Sequence, residues 1–181
     1  MTSGGEHCGT VFRVSTSGSE SVIHTFGASG DGCRPLGSLA AINGVLYGVT
    51  AYGIGRRACD CGTVFKLSTD GTERIIYRFK GGADGRVPLA GLIAFKGALY
   101  GTTGSGGTGC SGPGCGTVFK VTTAGVEQVL YSFQGGTDGA DPQAGLYPLR
   151  GTLYGTTAGG GGSSCGYASS ENCGTVFKIL P

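Results

Sequence analysis

One pentapeptide recurs four times in this chain and restricts how the chain can fold. Each copy reads Gly-Thr-Val-Phe followed by Arg or Lys, and each directly follows a cysteine. Successive copies are 53, 54 and 58 residues apart. Self-similarity at such a period indicates a repeat architecture, in which a site is built from equivalent loops. The copies begin at Gly9, Gly62, Gly116 and Gly174.

Other residues keep a constant distance from the first glycine of the first three copies. A glutamate lies 11 residues on, an aspartate 22, a proline 26 and a tyrosine 38. All length variation follows the tyrosine, because the next pentapeptide begins 15, 16 and 20 residues later. Since insertions collect in surface loops, this segment is predicted to be a loop and the rest framework. We expect a single domain, 1–181, with repeats at 9–61, 62–115 and 116–173 and a closing strand at 174–179.

Strand patterns recur four to a repeat, and helix patterns are nearly absent. In the second repeat Ile75, Tyr77 and Phe79 alternate along one segment and are predicted to share a face. Short turns that end in glycine separate the last two strands, and Asn-Gly in particular favours a two-residue hairpin. These turns are Asn43-Gly44, Lys96-Gly97 and Arg150-Gly151.

Four antiparallel strands in about 50 residues is the pattern of a β-propeller blade. One blade would comprise residues 89–95, 98–103, 116–122 and 127–133, so that the chain holds two strands, two whole blades and three strands. A usual propeller has about four to eight blades. We therefore expect a homodimer that closes six blades. The alternative is a β-trefoil, which also has twelve strands in three repeats and would close as a monomer.

The strings around the pentapeptide carry a family resemblance. Leu130 to Pro142 and Leu153 to Thr157, together with the Gly-Thr-Val-Phe-Lys copies, resemble the Gloeobacter/Verrucomicrobia (GloVer) tandem-repeat family over essentially the whole chain. The resemblance implies a secreted or surface bacterial protein with a propeller-like fold, and it implies little chemistry. The first repeat departs from the pattern, because His24 replaces a tyrosine there.

Composition excludes several classes of function. The net charge is +2 and no basic run is present, so the chain lacks the features of a nucleic-acid binder. No apolar stretch approaches the roughly 18 residues of a membrane span, and Met1 to Gly5 lacks the apolar region of a signal peptide. Eight cysteines favour an oxidising, extracellular compartment.

Three aspartates at equivalent positions are the best candidates for a metal site. Asp31, Asp84 and Asp138, with Asp141 in the third copy, could converge with glycine carbonyls on Ca²⁺, which prefers oxygen ligands. The competing interpretation is a repeated Asp-Gly turn in which each side chain bonds its own backbone.

The cysteines are interpreted as disulfides rather than zinc ligands, because the paired spacing of zinc sites is missing. Cys110–Cys115 and Cys165–Cys173 bracket the variable loop. Cys59–Cys61 would repeat this arrangement with a strained spacing, and Cys8–Cys33 is a further possible pair.

No catalytic set stands out. His24 occupies a tyrosine position, which favours a structural role, and the glutamates at the strand starts (Glu20, Glu73, Glu127) are expected to be solvated. Two functions remain open. The first is a binding module that presents its loops to a small molecule, glycan or protein. The second is a calcium-dependent hydrolase of lactones or related esters, by analogy with six-bladed propeller enzymes.

Overall fold

The computed structural model describes residues 8–28, 30–53, 61–162 and 173–181. These residues form thirteen strands and two single-turn 3₁₀ helices, Gly82–Asp84 and Gly136–Asp138. Neither helix is long or apolar enough to cross a membrane. The strands are β1 (Thr10–Val14), β2 (Glu20–Thr25), β3 (Gly32–Ile42), β4 (Val45–Gly53), β5 (Thr63–Leu67), β6 (Glu73–Arg78), β7 (Ile93–Phe95), β8 (Ala98–Thr103), β9 (Thr117–Val121), β10 (Glu127–Ser132), β11 (Tyr147–Leu149), β12 (Thr152–Thr156) and β13 (Val176–Ile179).

The strands pair with their neighbours in sequence and form four antiparallel sheets. The sheets are β1–β2, β3–β6, β7–β10 and β11–β13. The all-β prediction is confirmed, and the division into two, four, four and three strands agrees with the predicted phasing. The described residues form neither a closed ring nor a closed barrel, so propeller closure stays a prediction.

Valine and phenylalanine of the pentapeptide point to opposite faces of each sheet, because adjacent residues of a strand point to opposite sides. In the second sheet, Phe65 packs against Phe26 of the first sheet, with ring centroids 5.1 Å apart. Val64 belongs instead to the cluster that includes Phe119 of the third sheet. One strand therefore joins its sheet to the sheets before and after it, and the four sheets stack in series.

The same aromatic contact recurs at each junction between successive sheets, and we number these junctions first to third along the chain. Phe79 meets Phe119 and Phe133 meets Phe177, each pair with ring centroids 5.0 Å apart. The two ends of the stack lack one neighbour. Phe12 of β1 is accordingly 56% exposed and Val176 of β13 is 78% exposed, although their interior equivalents are buried.

Turn geometry follows the prediction, whereas one predicted face is wrong. Asn43 and Gly44 both have positive φ, at 50° and 77°, as a type I′ hairpin requires. Where β5 pairs with the outer strand β6, the register shifts between Val64 and Phe65 and leaves Ile76 of β6 without a partner, which is a β-bulge. Ile75 consequently packs against the first junction, whereas Tyr77 packs against the second. The period-2 pattern could not reveal this, because a bulge adds one unpaired residue.

The stacking predicts that loss of the pentapeptide phenylalanine lowers the free energy of unfolding more at an interior junction than at the end of the stack. Phe119→Ala should lower the free energy of unfolding by about 3–5 kcal/mol, because it removes a fully buried ring at a junction. Phe12→Ala, at the equivalent exposed position, should cost about 1 kcal/mol or less. Urea denaturation at low protein concentration measures both. Equal losses would contradict the serial packing.

Candidate functional site: the loop face

The Asp-Gly turns and the long loops lie side by side on one face of the stack. In the second repeat, Arg86 and Ser105 form an antiparallel β-bridge, with N···O distances of 2.9 and 3.2 Å. The N–H of Gly107 also donates to the carbonyl of Gly82 at 2.8 Å. We call this surface the loop face and define it by residues 81–86 and 104–115 with their third-repeat equivalents 135–140 and 158–162.

The third repeat reproduces the arrangement. Ala140 and Gly159 form the equivalent bridge, with both N···O distances 2.9 Å. The N–H of Gly161 donates to the carbonyl of Gly136 at 2.8 Å. The strand pattern of the sequence predicts an antiparallel meander, in which alternate connections lie on the same side of a sheet. The Asp-Gly turn and the long loop are such alternate connections, and these hydrogen bonds place them in direct contact.

A pair of threonine hydroxyls supports the base of each long loop. The Oγ1 atoms of Thr103 and Thr117 are 2.8 Å apart, and Thr103 Oγ1 donates to the carbonyl of Ser105 at 2.9 Å. Gly85 lies directly against this pair, because a Cβ there would come within 2.6 and 2.7 Å of the two hydroxyls. Only glycine fits this approach. Equivalent pairs occur at Thr50/Thr63 and Thr157/Thr175.

Asp84 and Asp138 hold their own turns together in the same way. Asp84 Oδ2 accepts the N–H of Lys80 at 2.6 Å, and its Oδ1 accepts the hydroxyl of Tyr77 at 2.5 Å. Asp138 accepts the N–H of Gln134 at 2.7 Å and the hydroxyl of Tyr131 at 2.6 Å. Each carboxylate therefore stabilises the turn that follows the outer strand of its own sheet.

Asp31 is buried and also accepts a backbone N–H in its own turn, since its Oδ2 accepts the N–H of Gly27 at 3.3 Å and its Oδ1 that of Gly32 at 2.8 Å. Asp141 accepts the side-chain amide of Gln143 at 2.7 Å and has a left-handed φ of 54° before Pro142. Among the described residues, the four predicted calcium ligands do not come together as a group of three. Calcium binding at these aspartates stays a prediction.

A glutamate of the next sheet joins the tyrosine and aspartate. Tyr77 Oη lies 3.3 Å from Glu127 Oε2, and Glu127 is the first residue of β10. Glu127 Oε1 is buried and has no hydrogen-bond partner. Glu127 was expected to be solvated, and this expectation is wrong because stacking brings it against the preceding repeat. Its fixed offset of 11 residues was the available signal, but the offset does not say which sheet it faces.

Burial and neighbouring charge determine the protonation of these groups. Desolvation and the charge of Asp84 raise the pKa of Glu127 from the usual 4.5 to about 7. Burial and the hydrogen bond to Asp84 raise the pKa of Tyr77 far above its usual value, so its hydroxyl stays protonated. At Tyr131 the hydrogen bond to Asp138 raises the pKa in the same direction.

The first junction carries histidine in place of tyrosine. His24 Nε2 lies 3.3 Å from Asp31 Oδ2, and Glu73 of the second sheet provides the third group. Ligand atoms of these three residues lie within 4.8 Å of one another. Burial and the charge of Asp31 raise the pKa of Glu73 from 4.5 to about 7, and its Oε1 is buried without a partner. Glu73 therefore also departs from the expected solvation.

One disulfide links the segment before β1 to β3, and another lies within the loop face. Cys8 pairs with Cys33, and Cys110 pairs with Cys115, as the sequence had suggested. The second bridge lies against the Asp138 turn, since a Cβ at Gly135 would come 3.0 and 3.1 Å from its sulfurs. Cys61 and Cys173 are also disulfide-bonded. Their predicted partners, Cys59 and Cys165, lie outside the described residues.

The raised pKa of Glu127 has a consequence for stability. Its folded-state pKa of about 7 exceeds the usual 4.5, so the folded protein binds more protons between these values. This group therefore stabilises the fold less as pH rises through that window. Glu127→Gln should remove the effect, so the variant gains stability relative to the native protein between about pH 4.5 and 7. Urea denaturation across this range measures it.

Glu20→Gln is the matched control, because Glu20 has the same repeat position but is exposed. The difference in free energy of unfolding between Glu20→Gln and the native protein should not change with pH in the same window. A flat difference for Glu127→Gln would show that Glu127 ionises normally in the folded protein.

Comparison with known proteins identifies the family and no individual relative. The model of the Gloeobacter/Verrucomicrobia repeat matches residues 1–181, the whole chain. No curated protein matches the chain. The match agrees with the repeats of the sequence. The chain belongs to the Gloeobacter/Verrucomicrobia repeat family.

Proposed function

We propose that this chain is an extracellular binding module that holds a small molecule, glycan or protein on its loop face. The supporting observation is the bridge that fixes each described long loop to its neighbouring Asp-Gly turn, at Arg86–Ser105 and Ala140–Gly159. Beyond this constant base the loops differ in length from repeat to repeat. Variable loops on a rigid scaffold are the usual location of binding sites.

The composition of the loop face supports binding by shape and hydrogen bonds. Residues 104–115 contain no charged side chain and consist of six glycines, two serines, one threonine, one proline and two cysteines. Backbone groups and hydroxyls are therefore the main contacts that this segment offers. The disulfide Cys110–Cys115 and the threonine pair restrain this segment before any ligand arrives, which lowers the entropy lost on binding.

The hydrolase alternative lacks a specific supporting observation. Asp84 and Asp138 already accept bonds from a tyrosine and a backbone N–H in their own turns. A calcium-dependent reaction would require these oxygens to exchange such bonds for a shared ion. Binding requires no such exchange, so we place binding first.

Exchange of one long loop tests the binding proposal. Replacing residues 158–173 with the second-repeat segment 104–115 keeps both threonine pairs and the Asp-Gly turn at residues 135–140. We expect native protein to bind some members of a panel of immobilised neutral and acidic polysaccharides and purified extracellular proteins. The exchanged variant should lose or change that selectivity while its circular dichroism and thermal unfolding stay near native. Retained selectivity would show that binding does not use the loop face.

We also propose that two chains associate through the ends of the stack. In the third sheet Tyr131 bonds to Asp138 as Tyr77 bonds to Asp84, but the described residues provide no glutamate for this third set. Glu73 and Glu127 each face the preceding sheet of the same chain, whereas the third glutamate at this repeat position, Glu20, lies at the exposed start of β2. A second copy whose β1–β2 hairpin completes the last sheet would supply it.

The apolar surfaces of the ends fit this arrangement. In the proposed dimer, Phe12 of the hairpin takes the place of Phe177 against Phe133, because both are the phenylalanine of a pentapeptide. This buries Phe12, Val14 and Val22, which are 56%, 58% and 54% exposed in the single chain. Strand β13 carries the same pentapeptide as β1, so the hairpin must displace it from β12.

Solution mass tests the association. The native protein should have twice the 18.0 kDa mass of one chain at micromolar concentration. Phe12→Asp should give monomers, whereas Val126→Asp, at an exposed valine away from the ends, should not. Truncation after Gly174 removes the competing β13 and should strengthen the dimer. Monomers in both the native and the truncated protein would contradict the proposal.

A further inference from the structure

Replacement of tyrosine by histidine at the first junction changes the chemistry that the junction can perform. His24 lies on β2, Asp31 directly precedes β3, and Glu73 begins β6. They are the only group of three possible metal-ligating residues found among the described parts of the chain. The group combines an imidazole with two carboxylates contributed by two neighbouring sheets.

We propose that His24, Asp31 and Glu73 bind a divalent cation of the Zn²⁺ type. Imidazole nitrogen with carboxylate oxygen is a ligand set that Zn²⁺ and related transition metals accept. Calcium prefers six to eight oxygen ligands, so this site differs in metal from the one predicted at the Asp-Gly turns, and the two ligand sets share only Asp31.

The observed distances suit such an ion. Zinc bonds to nitrogen and carboxylate oxygen are about 2.0–2.2 Å, so two ligand atoms of a tetrahedral site lie about 3.4 Å apart. His24 Nε2 and Asp31 Oδ2 are 3.3 Å apart. A carboxylate oxygen of Glu73 completes the group, whose ligand atoms all lie within 4.8 Å of one another.

Burial gives the site a reason to bind a cation. Asp31 is 6% exposed and the side chain of His24 is 19% exposed. Glu73 Oε1 is buried without a hydrogen-bond partner, and an unsatisfied buried oxygen is costly. A metal ion would satisfy this atom and offset the negative charge of both carboxylates.

The site is also accessible. A cavity of about 550 Å³ is lined by all three ligands, and also by Arg74 and Arg78. Arg78 donates to the carbonyl of Gly30, so part of its donor capacity is already used. Three protein ligands leave one position of a tetrahedral ion open towards this cavity, where water or an anionic group can bind.

The second junction explains why the first is special. Tyr77, Asp84 and Glu127 repeat the same geometry, with a hydroxyl where His24 has a nitrogen. A protonated tyrosine hydroxyl is a poor ligand for Zn²⁺, because metal ligands bind in their deprotonated form. Histidine at residue 24 therefore makes a metal site where the second junction has a structural contact. Substitution of His24 by tyrosine should restore the structural contact.

Isothermal titration calorimetry with ZnCl₂ tests the proposal on the oxidised, full-length protein without added thiol. In buffer near neutral pH we expect one saturable Zn²⁺ site and no equivalent response to CaCl₂. Co²⁺ provides a spectroscopic check, because its visible absorption depends on the ligands. Absence of saturable Zn²⁺ binding would refute the site.

His24→Tyr is the decisive variant, because it restores the side chain found at the other junction. It should weaken Zn²⁺ binding by at least about 100-fold while thermal unfolding of the metal-free protein stays near native. Glu73→Gln should also weaken binding, and His7→Ala should not. Undiminished binding in His24→Tyr, or its loss in His7→Ala, would place the ion elsewhere.

A gain of binding provides the converse test. Tyr77→His should create a second Zn²⁺ site with Asp84 and Glu127 and raise the stoichiometry from one ion to about two. An unchanged stoichiometry would count against the view that an imidazole at this repeat position, facing the two carboxylates, is sufficient.

Discussion

The fold depends on a strand that is buried on both faces. Valine and phenylalanine of each pentapeptide point in opposite directions, so one side of the strand packs against the preceding sheet and the other against the next. Removal of either neighbour exposes one of the two residues, as Phe12 and Val176 demonstrate. The repeats thus stabilise one another chiefly through contacts between nearest neighbours, as in other repeat proteins.

The stacking also creates the polar groups at the first two junctions. An aspartate fixes the turn after the outer strand, and a glutamate of the next sheet is pressed against it in a half-buried position. Two nearby carboxyls with limited hydration favour partial protonation, a hydroxyl donor or a cation. At the second junction the hydroxyl of Tyr77 is the donor. At the first junction His24 takes the place of the tyrosine, and its ring also contacts Phe26, with 4.7 Å between the centroids.

Framework and loop face are separate in their chemistry but connected in space. The threonine pair, the glycine beside it and the β-bridge have the same geometry in the second and third repeats. This constant base allows the loop beyond it to change in length and sequence without disturbing the junctions. The carboxyl sets instead lie where two sheets meet, so a change there affects packing and ligand binding together.

The sequence by itself determined the number and order of the strands, the 2-4-4-3 phasing and the loops that adjoin on one face. It could do so because turn residues such as Asn43-Gly44 and the alternation in Val64-Phe65 are local and recur at a constant offset. The equivalence of Asp31, Asp84 and Asp138 was visible for the same reason.

Only the tertiary structure decided which side chains meet between repeats. The bulge that separates Ile75 from Tyr77 has no compositional mark, because it depends on how two strands share hydrogen bonds. Glu73 reaches His24 and Asp31 only because the second sheet lies against the first, and a constant offset along the chain carries no information about that distance. Partners across a junction are set by the packing of whole sheets, and a linear pattern records only the residues that each sheet contributes.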